Sequence, residues 1–262
     1  MGRRGWHAAW QRLRWGAVRA IAPRREVESR GLRFTLQCDN WITQARYDTY
    51  NTKEPETLDW LDTWMRDGDT FLDVGANIGV YTLYAALRHP KARVIAIEPE
   101  YANAHLLRDN VVANRLAGRV ELYALALGGR SGVSYLQVQD FTPGAALHSV
   151  SREPTAQTLM GRPVIGREGV CVLTLDQFCE EVGAAPNCIK LDVDGTELEI
   201  LAGARRTLNS PSLRSVILEP PPEAAAQEAC RALLAEAGLT RQWYDPSGQS
   251  SNEVWVRNGG AG

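Results

Sequence analysis

The chain has 262 residues, 44% of them hydrophobic, which is enough for one principal domain but not for two ordinary large domains. Its 29 Lys and Arg residues nearly balance its 31 Asp and Glu residues, so the formal charge is -2 and the general positive field typical of nucleic-acid-binding proteins is absent. The five cysteines include no CxxC pair, which argues against a disulfide framework or a zinc site and predicts a reduced, cytoplasmic setting.

The N-terminus differs from the rest of the chain, since its first 25 residues hold seven arginines and no acidic residue. Apolar residues at spacings of three and four predict an amphipathic helix with a basic opposite face: Trp6, Trp10, Leu13, Ala17 and Ile21. No apolar run is long enough for a signal peptide or a membrane-spanning helix. The helix either packs its Trp face on the domain or lies on an anionic membrane through residues 1–25. Residues 1–46 are predicted to be this helix and a lead-in segment.

From residue 69 onward, short β-branched runs alternate with helical patterns, as in a parallel α/β sheet. The predicted strands cover residues 70–75, 92–99, 119–127, 188–195 and 214–220, and the predicted helices cover residues 79–88, 103–114 and 223–237. Two further strand candidates, TRQWYD and EVWVR, predict a C-terminal hairpin that closes one sheet edge. Residues 139–170 contain Pro and Gly too often for regular structure, and we expect a substrate-covering insert there, within a domain of residues 47–258.

The segment FLDVGANIG places glycines at the turn between the first of these strands and its helix. Gly75 and Gly79 allow a ligand to approach the backbone, and a helix N-terminus offers free N–H groups. Asp73 ends this strand and Glu98 ends the next one, where a carboxylate can bind both hydroxyls of a ribose. Each feature also occurs in ordinary strand–helix packing, but their order at the ends of adjacent strands favours a cofactor site.

Missing motifs narrow the choice of cofactor. The turn is GANIG rather than GxGxxG, so the second close-approach glycine expected beneath a pyrophosphate is absent. No GxxxxGK[ST] motif occurs, which argues against a P-loop nucleotide. S-adenosylmethionine fits these features because it carries a ribose and an adenine but no phosphate. Methyl transfer from its sulfonium requires in-line alignment and the exclusion of water.

Five ordered segments resemble those of a known family: DVGANIG (73–79), AIEPEYANAHLLRDNVVAN (96–114), ALALGGRSG (124–132), VLTLDQF (172–178) and IKLDVDGTELEILAGA (189–204). Over roughly residues 47–219, the chain resembles the FkbM-type family of class I S-adenosylmethionine-dependent methyltransferases. The resemblance implies a Rossmann-like α/β fold with a seven-stranded, mainly parallel sheet, an antiparallel C-terminal hairpin and helices on both faces. It also implies S-adenosylmethionine as the cofactor and, usually, O-methylation of a hydroxyl on a sugar, glycan or secondary metabolite.

The same resemblance implies a set of site residues. The cofactor-binding positions are the loop residues Asp73, Gly75, Ala76, Asn77 and Gly79, then Glu98 with Pro99, and Ala126. Glu54 matches an acidic position that precedes the loop and contacts the methionine end of the cofactor. Asp192, at the end of the fourth main strand, faces the reacting methyl group.

The segment KLDVDGTELEILAGA holds Lys190, Asp192 and Asp194 at every second position, so the three side chains would share one face of a strand. Asp194 begins a turn, and Thr196 with Glu199 forms a T-x-x-E capping box that predicts the start of the next helix. Turn and cap do not explain the two charges inside the apolar strand. One alternative is that Lys190 and Asp192 form a buried ion pair with a purely structural role. We favour Asp192 as the acceptor-site carboxylate, oriented by Lys190.

A hydroxyl is a weak nucleophile until its proton is removed, so a base or a metal ion is expected. His148 lies in the predicted insert and could close over the site as the base; the alternative is a solvated loop residue. Asp192, Asp194 and Glu219 would offer carboxylates to Mg²⁺ if their two strands are neighbours. The family resemblance does not require such a site, and Mg²⁺ is not favoured.

Two other classes of function stay open. A NAD(P)-dependent oxidoreductase would share the alternating strands and the acidic ribose ligand, but GxGxxG and a YxxxK pair are missing. A non-catalytic, membrane-associated binding protein could use the basic Trp helix, but it would not need the complete cofactor loop. The sequence therefore predicts a methyltransferase with a small-molecule or glycan hydroxyl acceptor and no nucleic-acid partner. A cytoplasmic location is expected, with peripheral membrane contact as the open alternative.

Overall fold

The computed structural model describes residues 23–151, 158–159 and 162–258. Its strands, in chain order, are β1 (Arg24–Ser29), β2 (Leu32–Gln37), β3 (Thr70–Val74), β4 (Arg93–Ile97), β5 (Val120–Tyr123), β6 (Ala126–Leu127), β7 (Gly132–Val138), β8 (Ser149–Ser151), β9 (Thr158–Leu159), β10 (Arg162–Pro163), β11 (Gly166–Leu173), β12 (Cys188–Leu191), β13 (Ser215–Leu218), β14 (Leu239–Tyr244) and β15 (Glu253–Arg257). Its helices are α1 (Trp41–Asp48), α2 (Pro55–Trp64), α3 (Val80–Arg88), α4 (Tyr101–Ala113), α5 (Leu175–Glu181), α6 (Glu197–Ala202), α7 (Arg205–Leu208) and α8 (Ala224–Glu236).

Within the described residues, the central sheet has seven strands in the order β14-β15-β13-β12-β3-β4-β5. The strands run parallel except β15, which pairs antiparallel with both β13 and β14. Almost every residue of β3, β4, β12 and β13 is buried, which is why these strands are mainly apolar in sequence, with Asp73 and Lys190 as buried charges. The predicted Rossmann-like α/β fold and its closing C-terminal hairpin are confirmed.

Helices cover both faces of this sheet because successive strand residues point to opposite layers. Phe71 and Val94 belong to the core that also contains residues of α2, α3 and α4. Leu72 and Ile95, the next residues of the same strands, belong to the core that contains residues of α5 to α8. The carboxyl ends of the parallel strands meet at one edge of the sheet, where α/β folds bind their ligands.

A second sheet of four strands, in the order β6-β11-β7-β8, packs beside the central one. It corrects two predictions. Residues 119–127 are not one strand, because β5 ends in the central sheet and β6 pairs parallel with β11. Residues 139–170 are not without regular structure, because β8 and the start of β11 pair antiparallel with β7. Burial along β11 alternates between exposed and buried positions, so this strand lacks the long apolar run of a central strand.

The hairpin of β1 and β2 was not predicted from the sequence, and it places Arg24 and Arg25 in a strand rather than in the basic N-terminal segment. The rest of the predicted N-terminal helix lies outside the described residues. The turn between β1 and β2 consists of Arg30 and Gly31. Both have positive φ, the usual geometry of a two-residue hairpin turn. The alternating pattern of residues 24–37 is the signal that could have identified the hairpin.

Asparagine side chains of α4 bind the second edge of β2. Asn110 accepts a hydrogen bond from the Gln37 N–H at 2.8 Å and donates one to the Ile78 carbonyl at 2.9 Å. The Asn114 side chain, one turn later, accepts a hydrogen bond from the Thr35 N–H and donates one to the Thr35 carbonyl, both at 2.8 Å. These amides satisfy backbone groups that a neighbouring strand would otherwise pair, and Asn110 also ties the hairpin to the glycine loop.

Replacing Asn110 by Ala is expected to lower the free energy of unfolding by about 2–4 kcal/mol, because a buried N–H and a buried C=O each lose their partner. Denaturant titration followed by circular dichroism measures this change. Asn51→Ala is the matched control. The Asn51 amide donates one exposed hydrogen bond, and its loss should cost less than about 0.5 kcal/mol. Equal effects of the two changes would contradict the bridging role of Asn110.

The remaining predictions on the whole chain concern cysteines and membrane spans. All five cysteines are free, as expected, and Cys171 is the exposed one. No helix in the described part of the chain has the length and apolar character needed to cross a membrane.

Candidate active site

A cavity of about 320 Å³ lies at the carboxyl edge of the central sheet. Most residues predicted from the sequence line it: Glu54, Gly75, Ala76, Asn77, Glu98, Pro99, Ala126, His148, Lys190, Asp192, Asp194 and Glu219. Asp73 and Gly79 are not in the lining and lie behind it. The structure thus brings residues from seven separate segments of the chain to one site.

The glycine loop is shaped by a close approach of two strand ends. Gly75 has φ +81°, and a Cβ atom added there would overlap the backbone carbonyl of Asp192. The N–H groups of Gly75 and Ala76 both donate to the Ile97 carbonyl at 3.0 Å, which ties the loop to the end of β4. Gly79, with φ +85°, begins α3, and a Cβ atom there would overlap the Leu107 side chain. Glycine is therefore required at position 75, because the backbone that follows the neighbouring strand β12 leaves no space for a side chain.

Glu98 follows β4 and points its carboxylate at the loop. It accepts hydrogen bonds from the N–H groups of Asn77 and Glu100, at 2.8 and 2.9 Å. The side chain is buried, and this burial raises the pKa of Glu98 to about 7 in spite of those bonds. The Asn103 side chain also donates to the Glu98 carboxylate, whose remaining acceptor capacity is available to a ligand hydroxyl.

Lys190 and Asp192 pair in the way that the sequence predicted. The Lys190 ammonium donates to Asp192 at 2.7 Å and lies 4.0 Å from the carboxylate of Asp73. Burial alone would lower the pKa of Lys190, but the carboxylates of Asp192, Asp73 and Glu54 raise it above its usual value. Asp73 also accepts a hydrogen bond from the Thr82 hydroxyl at 2.5 Å. It therefore supports Lys190 from behind the cavity wall.

Asp192 has a second carboxyl neighbour, Glu219, which follows β13. The two carboxyl groups share a hydrogen bond, which requires a proton on one of them. Burial and the adjacent Asp192 raise the pKa of Glu219 to about 9, so Glu219 holds the proton at neutral pH. Burial would raise the pKa of Asp192, but Lys190 outweighs it and holds that pKa below its usual range. In this pair, Asp192 is therefore ionised and Glu219 is protonated.

The turn after Asp192 differs from its prediction. Thr196 makes no side-chain capping bond among the described residues, so the predicted capping box is wrong. The Glu197 carboxylate takes its place, accepting hydrogen bonds from the N–H groups of Val193 and Gly195 at 3.2 and 3.0 Å. Asp194 has φ +62°, as a turn residue does, and its carboxylate is used elsewhere in the site.

Glu54 reaches the cavity from the residue before α2. Its carboxylate accepts a hydrogen bond from the Tyr81 hydroxyl at 2.9 Å and from the Lys53 ammonium at 2.6 Å. The Tyr81 ring lies beneath the Lys190 ammonium, which is 5.3 Å from the ring centroid. Burial and Glu54 raise the pKa of Tyr81 well above its usual value, so the hydroxyl remains a donor. Tyr81 connects Glu54 to the Lys190–Asp192 pair.

Residues 143–147 are here named the strap, and Ala145, Ala146 and Leu147 of this segment line one side of the cavity. Asn77 and Asn103 donate amide hydrogen bonds to the same strap carbonyl, at 2.8 and 3.0 Å. Arg46 donates two bonds to the preceding carbonyl, at 2.9 and 2.7 Å. The Asp194 carboxylate accepts a strap N–H at 2.6 Å. Side chains from four other segments therefore hold the strap against the cavity.

His148 directly follows the strap. Both of its ring nitrogens are buried, and neither has a hydrogen-bond partner in the described part of the chain. Burial lowers the pKa of His148, and the charges of Glu100 and Asp140 oppose that shift. Glu100 is thus near the His148 ring, and its N–H donates to the Glu98 carboxylate. The ring therefore lies at the Glu98 end of the cavity. Its predicted role as general base stays a prediction.

The structure does not support the alternative Mg²⁺ site. Among the described residues, no group of three or more His, Cys, Asp or Glu side chains is arranged to hold a metal ion. Asp192 is bound to Lys190, Asp194 is bound to the strap, and Glu219 carries a proton. These side chains are already occupied by hydrogen bonds that a metal would have to displace.

Arg46, Tyr81 and Asn103 are site residues that the sequence did not identify. Their partners lie 27 to 98 residues away along the chain, so no local pattern reveals the contacts. A polar residue shortly after each strand-end motif, Tyr81 after the glycine loop and Asn103 after Glu98-Pro99, is the signal that could have found two of them.

Residues 73–238 match the methyltransferase FkbM domain family. The chain is 34% identical over 173 residues to 31-O-demethyl-FK506 methyltransferase FkbM of Streptomyces tacrolimicus, covering 59% of this chain and 66% of that relative. It is 30% identical over 207 residues to the hexuronic acid methyltransferase AglP of Haloferax volcanii, covering 77% of this chain and 75% of that relative. A solved structure of methyltransferase FkbM from Methylobacillus flagellatus KT is also similar, with 16% identity and a TM-score of 0.48 over 84% of this chain and 55% of that chain.

Proposed function

Because the chain belongs to the FkbM methyltransferase family, we propose that it uses S-adenosylmethionine to methylate a hydroxyl group of a sugar, glycan or secondary metabolite. The observation that carries the proposal is the cavity itself, which combines a glycine loop, a buried acidic strand end and an ionised carboxylate beside a protonated one. One relative is named for its action on 31-O-demethyl-FK506 and another for its action on a hexuronic acid, and both names fit an oxygen acceptor.

The residues of the cavity fit the proposed cofactor. Gly75 lets the glycine loop pack directly against the backbone at Asp192 at the cavity wall, and the Glu98 carboxylate suits ribose hydroxyls. His148 offers two unpaired ring nitrogens at the same end, where a nucleoside would satisfy buried polar atoms. Asp192 follows β12, which β3 separates from the strand that precedes Glu98, and Tyr81 links Glu54 to the Lys190–Asp192 pair. Carboxylates on that side of the cavity suit the ammonium and sulfonium charges.

S-adenosylmethionine, when bound, would supply an electrophilic methyl group by cleavage of the methyl–sulfur bond, with S-adenosylhomocysteine as the leaving group. Asp192 accepts a hydrogen bond from the acceptor hydroxyl and takes its proton as the new bond to oxygen forms. Lys190 keeps Asp192 ionised and fixes its direction, while Asp73 and Tyr81 hold Lys190 in place. Protonated Glu219 donates a hydrogen bond to the Asp192 carboxylate and so helps to fix its position. The strap, with its side-chain contacts, excludes water from the reaction.

Incubation with labelled S-adenosylmethionine tests the function directly. The protein, with extract from its native cell as the source of acceptor, should give a labelled small molecule or glycan whose mass rises by one methyl group. Fragmentation should place the label on oxygen. Absence of a labelled product in the presence of extract, from protein that binds the cofactor, would contradict the proposed acceptor class.

The pH dependence of cofactor binding is a further expected result. Ribose hydroxyls bind the ionised form of Glu98, and the ionised fraction of a group with a pKa of about 7 falls about tenfold from pH 8 to pH 6. The dissociation constant of S-adenosylhomocysteine, measured by calorimetry, should therefore rise about tenfold over this range.

Glu98→Gln is the control for this pH dependence. It should bind more weakly at pH 8 and show no such slope, even though His148 still titrates at the same end of the cavity. The same tenfold slope in Glu98→Gln would assign the effect to another group.

A further inference from the structure

Arg46 lies on α1 and presents its guanidinium to the cavity. Its Nε and Nη2 atoms donate to the Gly144 carbonyl at 2.9 and 2.7 Å. Within the described ranges of the chain, no carboxylate forms an ion pair with it inside 4.0 Å. Burial lowers the pKa of Arg46 more than the surrounding carboxylates raise it. A partly buried guanidinium with one neutral acceptor is an incomplete arrangement, because charges withdrawn from water are normally paired.

The other two cations of the cavity lining already have carboxylate partners. Lys190, whose side chain is 5% exposed, is bound to Asp192. Lys53, whose side chain is 63% exposed, is bound to Glu54. Among the lining residues that the structure describes, Arg46 is therefore the cation available to an anionic ligand. An arginine fork also suits a carboxylate better than an ammonium does.

Arg46 lies among acidic residues of the cavity lining. The charges that act on it are those of Asp192, Glu54 and Asp194, and Glu98 is not among the principal ones. Carboxylates and a free guanidinium thus lie together where the reaction is proposed to occur. This combination suits a zwitterion, with an ammonium group toward Glu54 and Asp192 and a carboxylate toward Arg46.

We propose that Arg46 binds the carboxylate of a ligand in this cavity. The proposal rests on the function proposed above, and two sources of the carboxylate share its chemistry: the methionine part of the cofactor and an acidic acceptor. The methionine part of the cofactor carries an ammonium and a carboxylate, so it would contact both the acidic residues and the Arg46 guanidinium in this part of the cavity. The second source would restrict the acceptors to acidic compounds.

The first arm of the test measures binding of two ligands by calorimetry. S-adenosylhomocysteine carries the amino-acid carboxylate, and 5′-methylthioadenosine lacks the whole amino-acid group. If Arg46 binds the cofactor carboxylate, Arg46→Met should weaken S-adenosylhomocysteine about ten- to hundredfold and leave 5′-methylthioadenosine within about twofold. Arg46→Lys should restore part of the difference.

Arg46→Gln separates charge from the bond to the strap. Gln can still donate to the Gly144 carbonyl but has no charge. It should therefore resemble Arg46→Met in ligand preference and the wild type in thermal midpoint. If both ligands weaken equally in Arg46→Met, Arg46 only holds the strap, and the proposal is wrong.

The second arm identifies an acceptor source. Products labelled from native extract are separated on an anion exchanger. An unchanged affinity for S-adenosylhomocysteine in Arg46→Met, together with an anionic product that this variant forms at least tenfold more slowly, would assign the carboxylate to the acceptor. Unchanged affinity with a neutral product would overturn the proposal. Failure of the wild type to bind S-adenosylhomocysteine would instead remove the proposed function.

Discussion

Replacing Gly75 by Ala is expected to abolish measurable binding of S-adenosylhomocysteine. The new Cβ atom would overlap the backbone carbonyl of Asp192, which cannot move aside as a flexible side chain could. Relief requires the glycine loop to separate from the end of β12, and this movement displaces both Asp192 and the N–H groups bound to the Ile97 carbonyl. A loss of affinity of more than about a hundredfold corresponds to at least about 2.7 kcal/mol.

Gly68→Ala is the matched control for this substitution. Gly68 has a similar positive φ of +91°, but no described atom lies within 4 Å of a Cβ built there. It should cost only the strain of a left-handed residue, about 1–2 kcal/mol of stability, and leave ligand affinity unchanged. Calorimetry and denaturant titration on both variants measure the two effects. Comparable ligand affinity in the two variants would show that the contact with Asp192 does not shape the cofactor site.

Replacing Asp192 by Asn is expected to reduce methyl transfer by about 10²–10⁴-fold, because the group that takes the acceptor proton is lost. The affinity for S-adenosylhomocysteine should change by less than about tenfold. Asp73 still lies 4.0 Å from the Lys190 ammonium and limits the cost of the unpaired charge. Binding of S-adenosylhomocysteine and an unchanged circular dichroism spectrum would show that the variant is folded. Labelled product formed from native extract measures the rate.

Glu219→Gln separates the roles of the two carboxyl groups. Because the pKa of Glu219 is raised to about 9, it is already protonated at pH 7, and the Gln amide can donate the same hydrogen bond to Asp192. This variant should keep at least about a third of the wild-type rate. A loss in Glu219→Gln as large as the loss in Asp192→Asn would mean that Glu219 is the ionised group and that the assignment must be reversed.

The fold was predictable where burial is continuous. β3, β4, β12 and β13 are buried on both faces, so each leaves a mainly apolar run between turn residues, with Asp73 in β3 and Lys190 in β12 as internal charges. The hairpin of β1 and β2 was missed because its strands are half exposed, and its outer edge is satisfied by asparagine side chains of a distant helix. The split between β5 and β6 was missed because both strands are apolar and only their partners differ.

The site was predictable where chemistry falls at a strand end. Glu98, Gly75 and Asp192 were found because each one follows a recognisable strand and the parallel strands share an edge. The pairing of Lys190 with Asp192 followed from alternate positions on one strand. Tyr81 and Arg46 were missed because their functions depend on contacts across the fold.

The role of the second carboxyl group depended on its environment. Sequence gave no reason to distinguish Glu219 from Asp192 in protonation, since both are acidic residues at strand ends. Burial and a nearby lysine distinguish them in the structure, because Lys190 contacts one carboxylate and leaves the other without a cation. Such differences arise only after folding brings the groups together.

The most direct measurement of the central claim is a calorimetric titration of the purified protein with S-adenosylhomocysteine and, separately, with NAD. The cavity combines the buried Glu98 carboxylate, proposed above to bind ribose, with a loop that has no second glycine for a pyrophosphate. We expect one molecule of S-adenosylhomocysteine to bind per chain in the micromolar range and no heat of binding for NAD. Binding of NAD without binding of S-adenosylhomocysteine would contradict the assignment of this cavity to methyl transfer.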